Sequence, residues 1–302
     1  MPNDFIQTRV ELLAAIDRRD IQSLAALLDQ GAAPSGIPEP DRSSDHRHIS
    51  LTPLMNAAHR GWMAGVELLL GHGAQANERG RLGSTALLWA AHGGDVEAFD
   101  RLILAGSDIQ AHDWDIGFCM DWAALGGHAP MIAALAARGV PVNRLGISQL
   151  NPLMRASFQN NAQAVRALLG LAADPNLTGL NGRAPLHFAC AWQGHESAAI
   201  LLAAGAEVEA EDDRHETPLI MALARGDRAL AELFLRAGAD PLRRTGAGQN
   251  ALERAIQHRA EKDCEEAALL VLEWFDATRA KAEIGSACPE PTGAVRSRPL
   301  RA

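Results

Sequence analysis

His187 and Cys190, three residues apart, are this chain's nearest approach to a nucleophile and its base. A thiol becomes a nucleophile when a neighbouring imidazole takes its proton. No carboxylate is placed to orient that imidazole, so a small core cysteine is the simpler reading. Asp113, Asp115 and Asp121 offer carboxylates for acid–base work, but each falls at a turn or a helix start, where it would accept main-chain N–H groups instead. Asp41, Asp45, His46 and His48 are of metal-binding type, yet their spacing matches no rigid ligand set and they read as a solvated loop. The pairs Gly93-Gly94 and Gly126-Gly127 end helical patterns rather than follow strands, which a phosphate-cradling loop requires. GxSxG and HExxH do not occur. The expectation is a chain without catalytic residues, metal ligands or a cofactor, and therefore not an enzyme.

Composition narrows the class further. The 302 residues are 47% hydrophobic and 4% aromatic, an ordinary globular mixture. No run of 18 apolar residues is long enough for a membrane span, and the charged N-terminus does not resemble an export signal. A net charge of −9 disfavours nucleic acid and anionic membranes as partners. Four scattered cysteines form neither a disulfide framework nor a zinc ribbon. A soluble, cytoplasmic, monomeric protein is expected, with non-classical export left open. Its basic residues are nearly all arginine, as in GC-rich bacterial genomes.

What must position any working surface is a repeat. Thr52-Pro53-Leu54, Asn151-Pro152-Leu153, Ala184-Pro185-Leu186 and Thr217-Pro218-Leu219 fall on one 33-residue register, which Thr85, Phe118 and Asn250 complete. A turn signal follows each start after 21 residues: Gly73-Ala74, Gly106-Ser107, Gly139-Val140, Ala172-Ala173, Gly205-Ala206 and Gly238-Ala239. Seven units fill 52–282, and an earlier one from Val10 carries a lengthened loop at 34–50. Thr or Asn before Pro caps a helix whose first position needs no N–H. Small pairs such as Ala57-Ala58 and Ala90-Ala91 let helices approach, glycine ends the first helix, and apolar residues at helical spacing form the second.

These units resemble ankyrin repeats, with His187 alone reproducing the histidine of the Thr-Pro-Leu-His start. The resemblance implies an all-α solenoid, a single domain over 1–282 with stacked helix-turn-helix units, hairpin-like loops and polar terminal caps. Residues 283–302 read as a disordered tail. Units four and five depart from the pattern, with Phe118 at one start and Ala172 where glycine belongs, which predicts a weaker or partner-shaped middle.

The same resemblance implies binding of another protein through a concave face and loop tips, as an adaptor, an inhibitor or an immunity-type protein. The exposed positions of the family pattern hold Trp114, Asp115, Ile147, Leu150, Phe158, Leu180, Arg183, Trp192 and Arg225. Trp114, Phe158 and Trp192 are the expected anchors, with Arg155, Arg183 and Asp115 giving polarity at the rim. The alternative for the rings is burial against one another. A second row, Asn56, Trp89, Trp122, Arg155, Phe188 and Met221, reads as core packing, or else as the aromatic floor of a groove crossed by Arg155. The acidic run Glu207, Glu209, Glu211, Asp212 and Asp213 reads as a solvated face, or as a surface that steers a basic partner. A host-directed effector and a small-molecule receptor using the tryptophan groove are the competing functions.

Overall fold

A computed structural model describes residues 2–36, 51–191, 194–246, 248–251, 253, 269 and 271–274. Trp192, most of the 34–50 loop, most of the last unit and the 283–302 tail lie outside them. Among the described residues the chain is helical, with one isolated β-bridge between His112 and Phe118. Among the described residues no helix is long and apolar enough to cross a membrane.

The helices come in antiparallel pairs, one pair to a unit. They are α1 (Pro2–Asp17) with α2 (Ile21–Asp29), α3 (Pro53–His59) with α4 (Met63–Gly71), and α5 (Ala86–Gly93) with α6 (Val96–Leu104). Then follow α7 (Cys119–Gly126) with α8 (Ala129–Ala137) and α9 (Pro152–Phe158) with α10 (Ala162–Gly170). The series ends with α11 (Pro185–Ala189) with α12 (His195–Ala203), and α13 (Pro218–Ala224) with α14 (Arg228–Arg236). Odd-numbered helices pack on odd, even on even, so the units form two helical layers with loops along one edge. This is the solenoid that the register implies. α1 begins at Pro2 rather than near Val10, since no Thr-Pro step stops the first helix from extending at its free end.

The start motif works as its chemistry requires. The side chains of Thr52, Thr85, Asn151 and Thr217 accept the N–H of the third residue on. At Ala184 no such cap exists, and His187 Nδ1 accepts the Ala184 N–H instead, 3.2 Å away. Inner helices approach closely: a Cβ on Gly93 would collide with the His59 carbonyl, and one on Gly126 with that of His92. The buried core then runs through every described unit, with Leu54, Leu87, Met120, Leu153, Leu186 and Leu219 at one equivalent position.

Along the loops, asparagines repeat a second bond between units. The Asn77 amide donates to the Gly106 carbonyl (2.7 Å) and its oxygen accepts the Asp108 N–H (2.9 Å). Asn143 does the same to Ala172 and Asp174, and Asn176 to Gly205 and Glu207. Gln110 holds the place between Asn77 and Asn143, but Pro141 opposite has no N–H to donate. Gln110 instead accepts Arg144 Nη1 at 3.0 Å. At the first unit, the buried Arg9 guanidinium donates to the carbonyls of Ser35, Gly36 and Leu51, so one side chain pins both ends of the long loop.

Ala172 has φ +62°, the left-handed conformation that Gly106, Gly139 and Gly205 adopt at equivalent turns. An alanine there costs about 1 kcal/mol. Ala172→Gly is expected to raise the melting temperature by about 2–3 °C, and Gly139→Ala to lower it comparably, both read by thermal denaturation.

Candidate interaction face

Each loop folds as a finger between consecutive units, and positions 114, 147 and 180 occupy equivalent tips. Trp114 is 65% exposed, Ile147 56% and Leu180 43%. Leu145, on the Ile147 finger, and Leu82, on the finger before that of Trp114, are exposed as well, and the sequence reading passed over both. Phe158 is exposed at the end of α9, whereas Leu150 is half-buried. The result is a row of large apolar side chains in solvent, borne on rigid supports. Exposed apolar surface of this kind marks interaction sites.

The charged candidates are distributed differently. Asp115 is exposed beside Trp114. Arg183 is tied down, its Nε 3.0 Å from the buried Asp212 carboxylate. Arg225 is exposed, and its Nη1 donates to the Ala191 carbonyl at 2.6 Å. Arg155 is not at a rim. It is only 8% exposed, with Nε 3.5 Å from Asp121 Oδ1 and Nη2 donating to the Asp115 and Ile116 carbonyls and to Ser148 Oγ. A buried guanidinium needs that many acceptors, and the family position it occupies faces the core rather than the groove. Asp121 also accepts the Phe118 N–H at 2.9 Å, the capping role read for it. Burial pushes its carboxyl up to about 7, against the pull of Arg155. Asp113 forms the expected turn by accepting the Ile116 and Gly117 N–H groups.

The acidic run is not simply a solvated face. Glu209 accepts the Asp240 N–H in the place where asparagines sit in earlier units, and it pairs with Arg243. Asp212 is buried. Burial opposes its ionisation, but the Glu216 N–H, Arg183 and the Arg214 N–H outweigh that and hold it below its usual range.

The inner helices of units two to four carry a packed histidine–tryptophan cluster. His59 lies 5.1 Å from both Trp89 and His92, and Trp89 4.8 Å from Trp122, ring centre to ring centre and mostly edge to face. Trp122 is buried and Trp89 half-buried, so this part of the second row is packing, as read. His59 Nδ1, His92 Nδ1 and Trp122 Nε1 are sealed from solvent without a hydrogen-bond partner. Burial, followed by repulsion from His59 and His128, lowers His92 to about 4. Burial and the Arg60 charge lower His59 as well.

His187 is also lowered by burial, and its Nε2 lies 3.1 Å from the Glu216 carbonyl of the next unit. Both its nitrogens are thus engaged in structure. The Cys190 thiol is pushed up to about 12 by burial and faces the Leu186 and Pro218 carbonyls, so no thiolate forms near neutral pH. Nucleophilic chemistry has no support at this pair.

A family model for ankyrin repeats matches three times, over residues 12–113, 120–212 and 186–279. The chain is 29% identical over 161 residues to an ankyrin repeat domain-containing protein, SAT10, of Stachybotrys chartarum, covering 53% of this chain and 8% of that protein. It is 30% identical over 123 residues to the E3 ubiquitin-protein ligase XBAT33 of Arabidopsis thaliana, covering 40% of this chain and 24% of that one. It therefore spans a minor part of either relative. The solved ankyrin repeat domain of human ASB11 superposes with a TM-score of 0.64 at 22% identity, over 74% of this chain and 98% of that one.

Lowered histidines set the response to acid. Each contributes stability that is present above about 6.5, the unfolded value, and is lost as pH falls through the native one. The melting temperature is expected to fall between pH 7 and pH 4.5, and His92→Leu to flatten that slope. A slope unchanged in the variant would mean that His92 does not take up the proton on unfolding.

Proposed function

Since this chain belongs to the ankyrin-repeat family, whose members generally mediate protein–protein interactions, we propose that it is a non-catalytic scaffold that binds another protein across its finger tips. The observation that carries this reading is the exposed apolar row Trp114, Ile147 and Leu180 at equivalent tips of three consecutive fingers. A stack held by core packing and inter-unit bonds presents that row already ordered, so association loses little conformational entropy. Trp114 is the main anchor, with Phe158 and the half-buried Leu150 beside the row. Trp192 belongs to the proposed face on its sequence position alone. Asp115, Arg183 and Arg225 give the edge its polarity, and mixed charges there favour neither nucleic acid nor an anionic membrane. Two free, buried thiols, Cys119 and Cys190, fit a reducing compartment such as the cytoplasm.

Affinity capture from lysate with the tagged chain, followed by titration of the recovered protein, tests this. Trp114→Ala is expected to weaken binding by about 30-fold or more, and Ile147→Ala with Leu180→Ala to weaken it further, all with the melting temperature unchanged. Full affinity in all three variants would remove the finger tips as the docking surface.

A further inference from the structure

The finger carrying Trp114 is joined to the finger after it differently from the way it is joined to the finger before it. Three junctions between consecutive fingers carry a main-chain bond: the Trp114 N–H donates to the Leu82 carbonyl (2.9 Å), the Leu180 N–H to Gln149 (3.0 Å) and the Asp213 N–H to Asn181 (2.9 Å). Among the described residues no such bond joins the 114–117 finger to the 147 finger that follows it. The asparagine ladder is interrupted at the same junction, at Gln110 and Pro141. What bridges the gap is a buried side-chain pair. Arg155, from α9 of unit five, reaches under the finger between units three and four, donating to the Asp115 and Ile116 carbonyls and to Ser148 Oγ of the next finger. Asp121, on α7, stands beside the Arg155 Nε and accepts the Phe118 N–H.

Gly117 leaves room for the carboxylate, and Gly146 borders it at ordinary contact distance. A Cβ on Gly117 would lie 2.7 Å from Asp121 Oδ2, and one on Gly146 3.7 Å from it. Asp121 occupies the position where His187 stands in unit six, three residues after the start. There a neutral imidazole accepts the Ala184 N–H of its own unit and ties that unit to the next through the Glu216 carbonyl. In unit four the Asp121–Arg155 pair makes the link to the next unit and, through Arg155, also holds a finger.

We propose that Asp121 and Arg155 are positioning residues, a buried strut that fixes the 112–118 finger, and with it Trp114, against the finger at 145–150. Arg155 does so with one planar fork: Nη2 donates to both fingers, while Nε stands 3.5 Å from the Asp121 carboxyl, close enough for charge attraction but not for a hydrogen bond. A lysine presents one point charge and cannot span these groups. The strut bears on the proposed docking face because Trp114 rides on this finger. Its test needs no partner, so either reading can fail without the other.

Hydrogen–deuterium exchange on the full chain provides the test. Arg155→Met is expected to speed exchange of the 112–118 amides by about tenfold, while those of the 178–183 finger and of α13 keep their rates. Arg155→Lys should fail to restore protection. Asp121→Asn, which retains an acceptor for the Phe118 N–H but loses the charge, should give a smaller increase at the same amides. A uniform rise across the stack in Arg155→Met, or no change at 112–118, overturns the strut, because either result reduces the pair to ordinary core support. Should Arg155→Met not fold, Ser148→Ala and Asp121→Asn are read alone. Local acceleration at 112–118 in both supports the proposal, and unchanged rates there overturn it.

Discussion

Each unit has one apolar flank that only the next unit can cover. Two helices of seven to nine residues cannot enclose a core by themselves, and isolated helices of that length are unstable in water. The 33-residue register follows from this constraint. If Leu87 is to meet Leu54 on one side and Met120 on the other, equivalent positions must recur at a fixed interval. A one-residue slip would turn the inner helices out of register and separate the asparagines from the amides they serve. Stability therefore runs along the stack through contacts between neighbours, and a local defect is felt mainly by adjacent units.

The same constraint explains where variation is tolerated. Core-facing positions stay apolar, with Leu and Ala the commonest, because they have a neighbour on each side. Finger tips are bounded by neighbours on their flanks but not at their ends, so Trp114, Ile147 and Leu180 differ in shape without disturbing the packing. Function fits on such a surface because the scaffold does not depend on it. Units four and five show the intermediate case. Phe118 replaces a capping residue, Pro141 removes an N–H and Ala172 occupies a glycine turn, while Arg144 lies over the Phe118 ring at 3.5 Å and Asp121–Arg155 fills the place of lost main-chain bonds. A buried pair is a weak contributor to net stability, but loss of one partner strands a charge. The junction is thus strongly dependent on both members.

Much of the architecture was legible because it is punctuated. Thr-Pro, Asn-Pro and Gly-Ala steps mark helix ends through local chemistry, and local chemistry is readable from a single stretch of chain. The left-handed turn at Ala172 was readable for the same reason. Arg155 was not, since its burial depends on Asp121, a unit away, and on the Asp115 and Ile116 carbonyls of the finger before Asp121. The acidic run misled likewise: Glu209 looks solvent-facing until its oxygen is seen in the asparagine ladder, and Asp212 until Arg183 comes from the preceding unit. Leu82 and Leu145 were passed over because they flank the tip positions that the family pattern marks. Their exposure comes from the path of each finger, including the positive φ at Leu82, rather than from residue type.

Deleting one internal unit tests the neighbour-only account most directly. Removing 184–216 joins Arg183 to Thr217 and places α13 and α14 against α9 and α10 in the same register. Far-ultraviolet circular dichroism and thermal melting should then show a folded chain with one unit less helix and a cooperative transition. A shortened chain that loses its helical signal altogether, or melts without cooperativity, would contradict a structure held together by like contacts between successive units.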